Sequence, residues 1–281
     1  MDARVPEQID QLVAYKGAAI AVWLAMFLAL ERLWPAASRP SAPLSDPSGR
    51  ALAHFAAKHD LKRIAKNGAL WAFNALLGPA IVLPVTLLAV EWGPAWRPPG
   101  WSGWPALLLD LALLDLWIYW WHRANHESSW LWRFHRIHHL DNFLDASSAG
   151  RFHAGEVALS AMVRGAIILA LDIPLGHVLA FEALVLAAAI FQHSNLALPV
   201  GVERALSRLV VTPSIHWLHH HAVRADTDSN YSTTLSLWDR VFGTQSPNVR
   251  SPAMAIGLAG EPDTGLGELL AAPLRRARPV G

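Results

Sequence analysis

From Ala69 to Val90 the chain carries no charged side chain. A run of that length covers the hydrocarbon core of a bilayer as an α-helix, which needs about 20 apolar residues. Backbone polar groups inside lipid must be satisfied within the segment, so an all-α, helical-bundle fold follows. Pro79 and Pro84 are predicted to kink this span. Three further regions are predominantly apolar and long enough to matter, though each carries a few charges: Leu12 to Trp34, Trp104 to Trp121, and Val157 to Phe191, the last broken by Asp172-Ile-Pro-Leu-Gly176. The break reads as a turn between two short helices, forming either a full or a re-entrant hairpin. Acidic Asp2 and Glu7 precede the first region and no cleavage signal of small residues lies close by, so it reads as a retained helix. Composition agrees: 53% hydrophobic against 16% charged residues, with a mean hydropathy of +0.26, is too apolar for an ordinary soluble domain.

Basic residues set the orientation. The first connection holds Arg32, Arg39, Arg50, Lys58, Lys62, Arg63 and Lys66, whereas the second holds only Arg97. Under the positive-inside rule the first connection is cytoplasmic, and two more crossings return the end of the third helix to that side. The Arg50 to Lys66 stretch reads equally as a helix lying on the anionic leaflet or as a solvated helical linker. Pro40 to Pro47 reads as a flexible connector, and residues 246–281 as a flexible tail. A net charge of +1 without a long basic run gives no sign of a nucleic-acid partner.

Histidine is the outlier. Of 14 in the chain, 12 lie between His122 and His221. With no cysteine, a metal must be held by nitrogen and oxygen. His122-Arg-Ala-Asn-His126 puts two imidazoles on one helix face, and His135-Arg-Ile-His138-His139 and His216-Trp-Leu-His219-His220 each offer three. Any one pair alone reads as a surface or capping feature. Three clusters together call for a shared metal load, since buried imidazoles without partners cost about 1 to 3 kcal/mol each. Adding His153 and His193 gives ten ligands, five for each of two ions with a sixth position open. Imidazole alone admits zinc, copper, iron or nickel. The clusters sit at the mouth of an apolar bundle, where a lipid can enter, and attack on an unactivated aliphatic chain needs a metal–oxygen oxidant, which favours iron.

Asp115, Asp141, Glu156, Asn230 and Asp239 are candidates to orient imidazoles or offset metal charge, though each could equally cap a helix or bind an arginine. His221 lies past its cluster, while His54, His59 and His177 carry no assigned role. Trp117, Trp120, Trp121, Trp130 and Trp132 read as an interfacial belt and packing. A metalloprotease fails at His126-Glu-Ser-Ser-Trp130, which lacks the second histidine of HExxH. A bis-histidine haem protein would use single facing histidines. A non-catalytic metal-binding or transport protein stays open as the alternative.

The region from Asp115 to Thr244 resembles the fatty acid hydroxylase and sterol desaturase superfamily. The likeness rests on the three boxes, Asp115-Leu-Trp-Ile-Tyr119, Arg151-Phe-His153-Ala-Gly-Glu156, Gln192-His193-Ser-Asn195, Pro213, and Trp238-Asp-Arg-Val-Phe-Gly-Thr244. It departs at Ala154, where proline is usual, and at Ser232, where glycine is usual. Neither removes a ligand. The resemblance implies a catalytic domain over residues 104–245 following N-terminal membrane helices at 1–103. It also implies a di-iron site, dioxygen as co-substrate, a lipid substrate, and a separate electron donor, a reductase with a ferredoxin- or cytochrome-type carrier. Zinc can displace iron on overexpression. Hydroxylases and desaturases share the family, so the reaction stays open between them.

Overall fold

A computed structural model describes residues 4–38, 50–98 and 100–275, with side chains described over 15–38, 60–98 and 100–275. The Pro40 to Pro47 connector lies outside the described residues. The described fold is helical, with isolated β-bridges and no strand. Helix α1 spans Arg4–Leu33 and α2 spans Arg50–Leu77. Helix α2 runs through a π-helical turn, Gly78–Val82, into α3, Leu83–Glu91. That turn is the outcome of the predicted kink: Pro79 supplies no N–H, and a wider turn accommodates the lost hydrogen bond. Helix α4 spans Gly103–Glu127, α5 Ser129–His139, α6 Ala154–Leu171 and α7 Leu175–His193. The short helices α8 (Val200–Leu206), α9 (Pro213–His219), α10 (Arg224–Thr227), α11 (Leu237–Val241) and α12 (Leu266–Ala271) follow.

Among the described residues, four helical segments are long and apolar enough to cross a membrane: Asp60–Glu91, Gly103–Glu127, Ala154–Leu171 and Leu175–His193. The chain is an integral membrane protein. Helices α6 and α7 form a hairpin whose turn uses Asp172 in the left-handed region, φ 52°. The bundle interior, Leu114, Trp117, Ile168, Ile173, Val178 and Phe181 with Ala89, lies between α3, α4, α6 and α7. Gly165 lets α6 close on α3, because a Cβ there would stand 2.6 Å from Val85 Cγ1.

The Arg50 to Lys66 stretch forms the first part of α2 and is continuous with the span. From Asp60 onward it packs against the histidine end. Arg63 bonds Asp141 and Asp145, and Asn67 links Asp141 to Arg151. Two residues counted for orientation, Arg63 and Lys66, are thus paired inside the fold. Gly150 is required at this junction, since a Cβ there would overlap the Trp71 indole at 1.2 Å from Nε1. The stretch after residue 245, expected as a flexible tail, is held through Arg275. Leu269 is fully buried against Leu70, Ile137 and Leu140, and Asp263 bonds Arg151 at 2.5 Å. Its apolar spacing is too sparse to reveal this; the contacts come from distant chain segments.

A candidate dinuclear metal centre

The α4 helix presents His122 and His126 one turn apart at its C-terminal end, and α5 follows after the single residue Ser128, whose side chain accepts Leu131 N–H as its N-cap. That tight junction turns His135, His138 and His139 back over the α4 histidines. Helix α7 ends at His193, and α9 supplies His216 and His219, with His220 as its C-cap residue.

These side chains form two groups. His122, His126, His135, His139 and His219 offer one nitrogen each, all within 4.8 Å of one another; so do His138, His193, His216 and His220. All nine are buried. The groups adjoin, with the His139 and His220 rings stacked at 4.4 Å and the His138 and His220 rings at 4.6 Å.

Protein acceptors orient the rings. Nδ1–H donates from His122 to the Tyr231 carbonyl at 2.8 Å, from His138 to Arg151 O at 3.3 Å, from His193 to Ala189 O at 2.7 Å and from His219 to Ser229 O at 2.6 Å. Carboxylates take two more, Glu156 from His135 at 2.8 Å and Asp228 from His126 at 3.3 Å. Each of these six rings therefore turns an Nε2 lone pair inward. His138 Nε2 and His193 Nε2 then face each other at 3.0 Å with no proton between them. Two lone pairs at that distance repel, and a cation between them converts the repulsion into ligation. His126 Nε2, His139 Nδ1, His216 Nδ1, His219 Nε2 and His220 Nδ1 have no hydrogen-bond partner. Protonation does not relieve the crowding. Burial and neighbouring imidazoles push His138, His139, His216 and His220 well below the usual histidine range, and His219 down to about 3. The donor set thus fits two metal ions, one per group.

His153, expected among the ligands, is not brought to either group. It is the N-cap of α6: its Nδ1 accepts Gly155 N–H and its Nε2 donates to Leu270 O. The sequence placed it in the same loop as Arg151, whose backbone carbonyl does reach His138. Of the five proposed supporting residues, only Glu156 contacts an imidazole. Asp115 accepts Thr234 N, Leu235 N and Trp238 Nε1, and Asp239 accepts Tyr231 N, Ser232 N and Thr244 Oγ1. Asn230, at φ 52°, accepts Ser246 N and donates to Ile215 O. These three hold the 229–235 loop that supplies two carbonyls to the site. Asp141 instead anchors Arg63 and Asn67. Asp228 and the four carbonyls had no spacing signal. Trp132, read as belt, packs on His126 at 5.0 Å and His139 at 5.4 Å under Arg224. His221 pairs with Asp226, and His177 with Asp110.

Residues 107–244 match the fatty acid hydroxylase family. The chain belongs to the fatty acid hydroxylase superfamily. Within this superfamily it is similar to an ornithine lipid hydroxylase of Rhizobium tropici, 29% identical over 70% of this chain and 59% of the relative. It is also similar to alkylglycerol monooxygenases of Danio rerio, 32% identical over 57% of this chain and 33% of the relative, and of Homo sapiens, 30% identical over 47% and 28%. The hydroxylase-like region thus spans between about a quarter and three fifths of those curated relatives' length. No solved structure matches. The Ala154 and Ser232 departures from the superfamily pattern are both accommodated: Ala154 opens α6, and the Ser232 hydroxyl accepts Asp239 N–H, which a glycine could not.

Proposed function

We propose that this chain is a membrane di-iron oxygenase that hydroxylates or desaturates a lipid, consuming dioxygen and electrons from a separate reductase with a ferredoxin- or cytochrome-type carrier. The observation that carries it is the convergence of nine buried imidazoles in two adjoining groups, with inward lone pairs that repel unless cations lie between them. His122, His126, His135, His139 and His219 hold one ion, and His138, His193, His216 and His220 the other. Bound iron supplies the activation of dioxygen needed to attack an aliphatic C–H bond. The chain's own residues do the rest. The carbonyls of Ala189, Arg151, Ser229 and Tyr231 fix imidazole tautomers; Asp228 and Glu156 do the same while adding negative charge that offsets the cations. The apolar interior beneath the imidazoles excludes water and suits a lipid chain.

The relatives, an ornithine lipid hydroxylase and alkylglycerol monooxygenases, favour a lipid substrate. We place the histidine end on the cytoplasmic side. The basic first connection supports this, and Arg63 and Asn67 of α2 join that end of the molecule to the site. The test is reconstitution with ferrous iron without oxygen, elemental analysis, and mass spectrometry of lipids after adding oxygen and donor. Two irons per chain and an oxygen-dependent lipid product are expected. Metal binding without any oxygen-dependent product would favour a non-catalytic metal-binding protein.

A further inference from the structure

Two neutral amides beside the histidines are left out of every network described above. Asn125, on α4 between His122 and His126, is 1% exposed, and neither its Nδ2 nor its Oδ1 has a hydrogen-bond partner. Gln192, next to His193 on α7, is 2% exposed, and its Oε1 likewise has none. Buried carboxamides are ordinarily satisfied, so each such group calls for an explanation. Helix register says where they face. Trp121, Ile118 and Leu114 lie four, seven and eleven residues before Asn125, hence on its side of α4; Val185, Phe181 and Val178 lie seven, eleven and fourteen before Gln192 on α7. All six belong to the apolar interior between those helices. The amides therefore stand where that interior meets the imidazoles, Asn125 beside the five-histidine group and Gln192 beside the four-histidine group.

We propose that Asn125 and Gln192 bind a neutral hydrogen-bonding group of the lipid, a hydroxyl or an amide, and so place a carbon close to that group, rather than the chain terminus, at the metals. Asn125 by itself offers an unpaired donor and an unpaired acceptor and Gln192 an unpaired acceptor, which suit a group that both accepts and donates. Neither carries the positive charge that a carboxylate would need. This rests on the lipid-oxygenase reading for its chemistry, yet its test needs no turnover.

Metal-loaded protein in lipid nanodiscs is equilibrated with radiolabelled hexadecan-1-ol, hexadecanamide, hexadecane or hexadecanoate, and empty nanodiscs are subtracted. Wild type is expected to retain the alcohol and the amide at least about tenfold over hexadecane and hexadecanoate. Asn125→Leu and Gln192→Leu should each lower that preference about tenfold, the scale of one buried hydrogen bond lost, with hexadecane retention and metal content unchanged. If Asn125→Leu does not accumulate, Gln192→Leu and the conservative Asn125→Ser make the same comparison, with serine keeping part of the preference. A wild-type protein without preference, or leucine variants that keep it in full, would overturn the proposal and leave the amides to ordered water only. Absence of oxygen-dependent product with the binding preference intact would count against the oxygenase reading alone.

Discussion

The two ends of the bundle bury polar groups in opposite ways. At the end away from the histidines, Asp110 is fully buried, takes both Arg97 terminal nitrogens at 2.7 and 2.8 Å, and accepts from His177 Nδ1 at 2.7 Å. Arg97 Nε also donates to Leu171 O, closing the turn between α6 and α7 onto α4. Asp110, Arg97 and His177 there all have protein partners. At the other end six of the nine imidazoles are oriented from behind, while the Nδ1 atoms of His139, His216 and His220 have no partner and the inward nitrogens crowd one another. The first arrangement is satisfied within the chain; the second leaves lone pairs that fit cations. Complete satisfaction marks a structural clamp, and organised dissatisfaction marks a site.

The sharpest break of this contrast is removal of one inward imidazole. His138→Ala and His219→Ala should lower oxygen-dependent lipid modification by more than about 100-fold and reduce metal content, since even changes behind a ligand cost about 10- to 100-fold. Retained activity in membranes with equal expression would detach these boxes from the chemistry. At the clamp, Arg97→Leu should instead cost about 3 kcal/mol of stability with the metal-to-chain ratio unchanged, because Asp110 is left buried and uncompensated. Thermal unfolding alongside elemental analysis separates the two effects.

Acid should also tell the ends apart. In the unfolded chain the histidines take protons near pH 6.5, whereas burial keeps His138, His139, His216 and His220 neutral well below that and His219 neutral to about 3. The unfolded state binds more protons in that window, so stability is intact above about pH 6.5 and falls as pH drops toward 3. Each such histidine costs about 1.4 kcal/mol per pH unit until its folded value is reached. Metal-free protein unfolded thermally at pH 7.5 and 5.5 checks this. Equal melting temperatures would mean the imidazoles are not held neutral.

Glu156→Gln keeps an acceptor for His135 Nδ1–H but loses the charge, so metal affinity should fall about 10-fold, read by competition with a chelator. The smallest effects belong to the histidines outside the groups. His153→Ala and His221→Ala should each cost about 1 kcal/mol and leave metal content and activity near wild type. Loss of metal in His153→Ala would restore it to the ligand set.

Much of this contrast is legible in the sequence alone. Uncharged runs such as Ala69 to Val90 dictate spanning helices because lipid offers the backbone no partner, and the spacing of His135, His138 and His139 puts three imidazoles toward one side of a helix turn. Those are local rules. His153 shows their limit: it shares a loop with a residue that touches the site, yet its own nitrogens turn to Gly155 and Leu270.

The sequence by itself determined the helical membrane fold, the three boxes and the nitrogen and oxygen character of any metal donor set, because each depends on residue type and on spacings within a few turns. Only the tertiary structure divided the histidines into five and four, chose Asp228 and Glu156 over Asp115 and Asp239 as imidazole partners, and drew residues 263–269 back against α5 and Arg151. These depend on which distant segments meet, and a carbonyl or carboxylate a hundred residues away leaves no periodic trace.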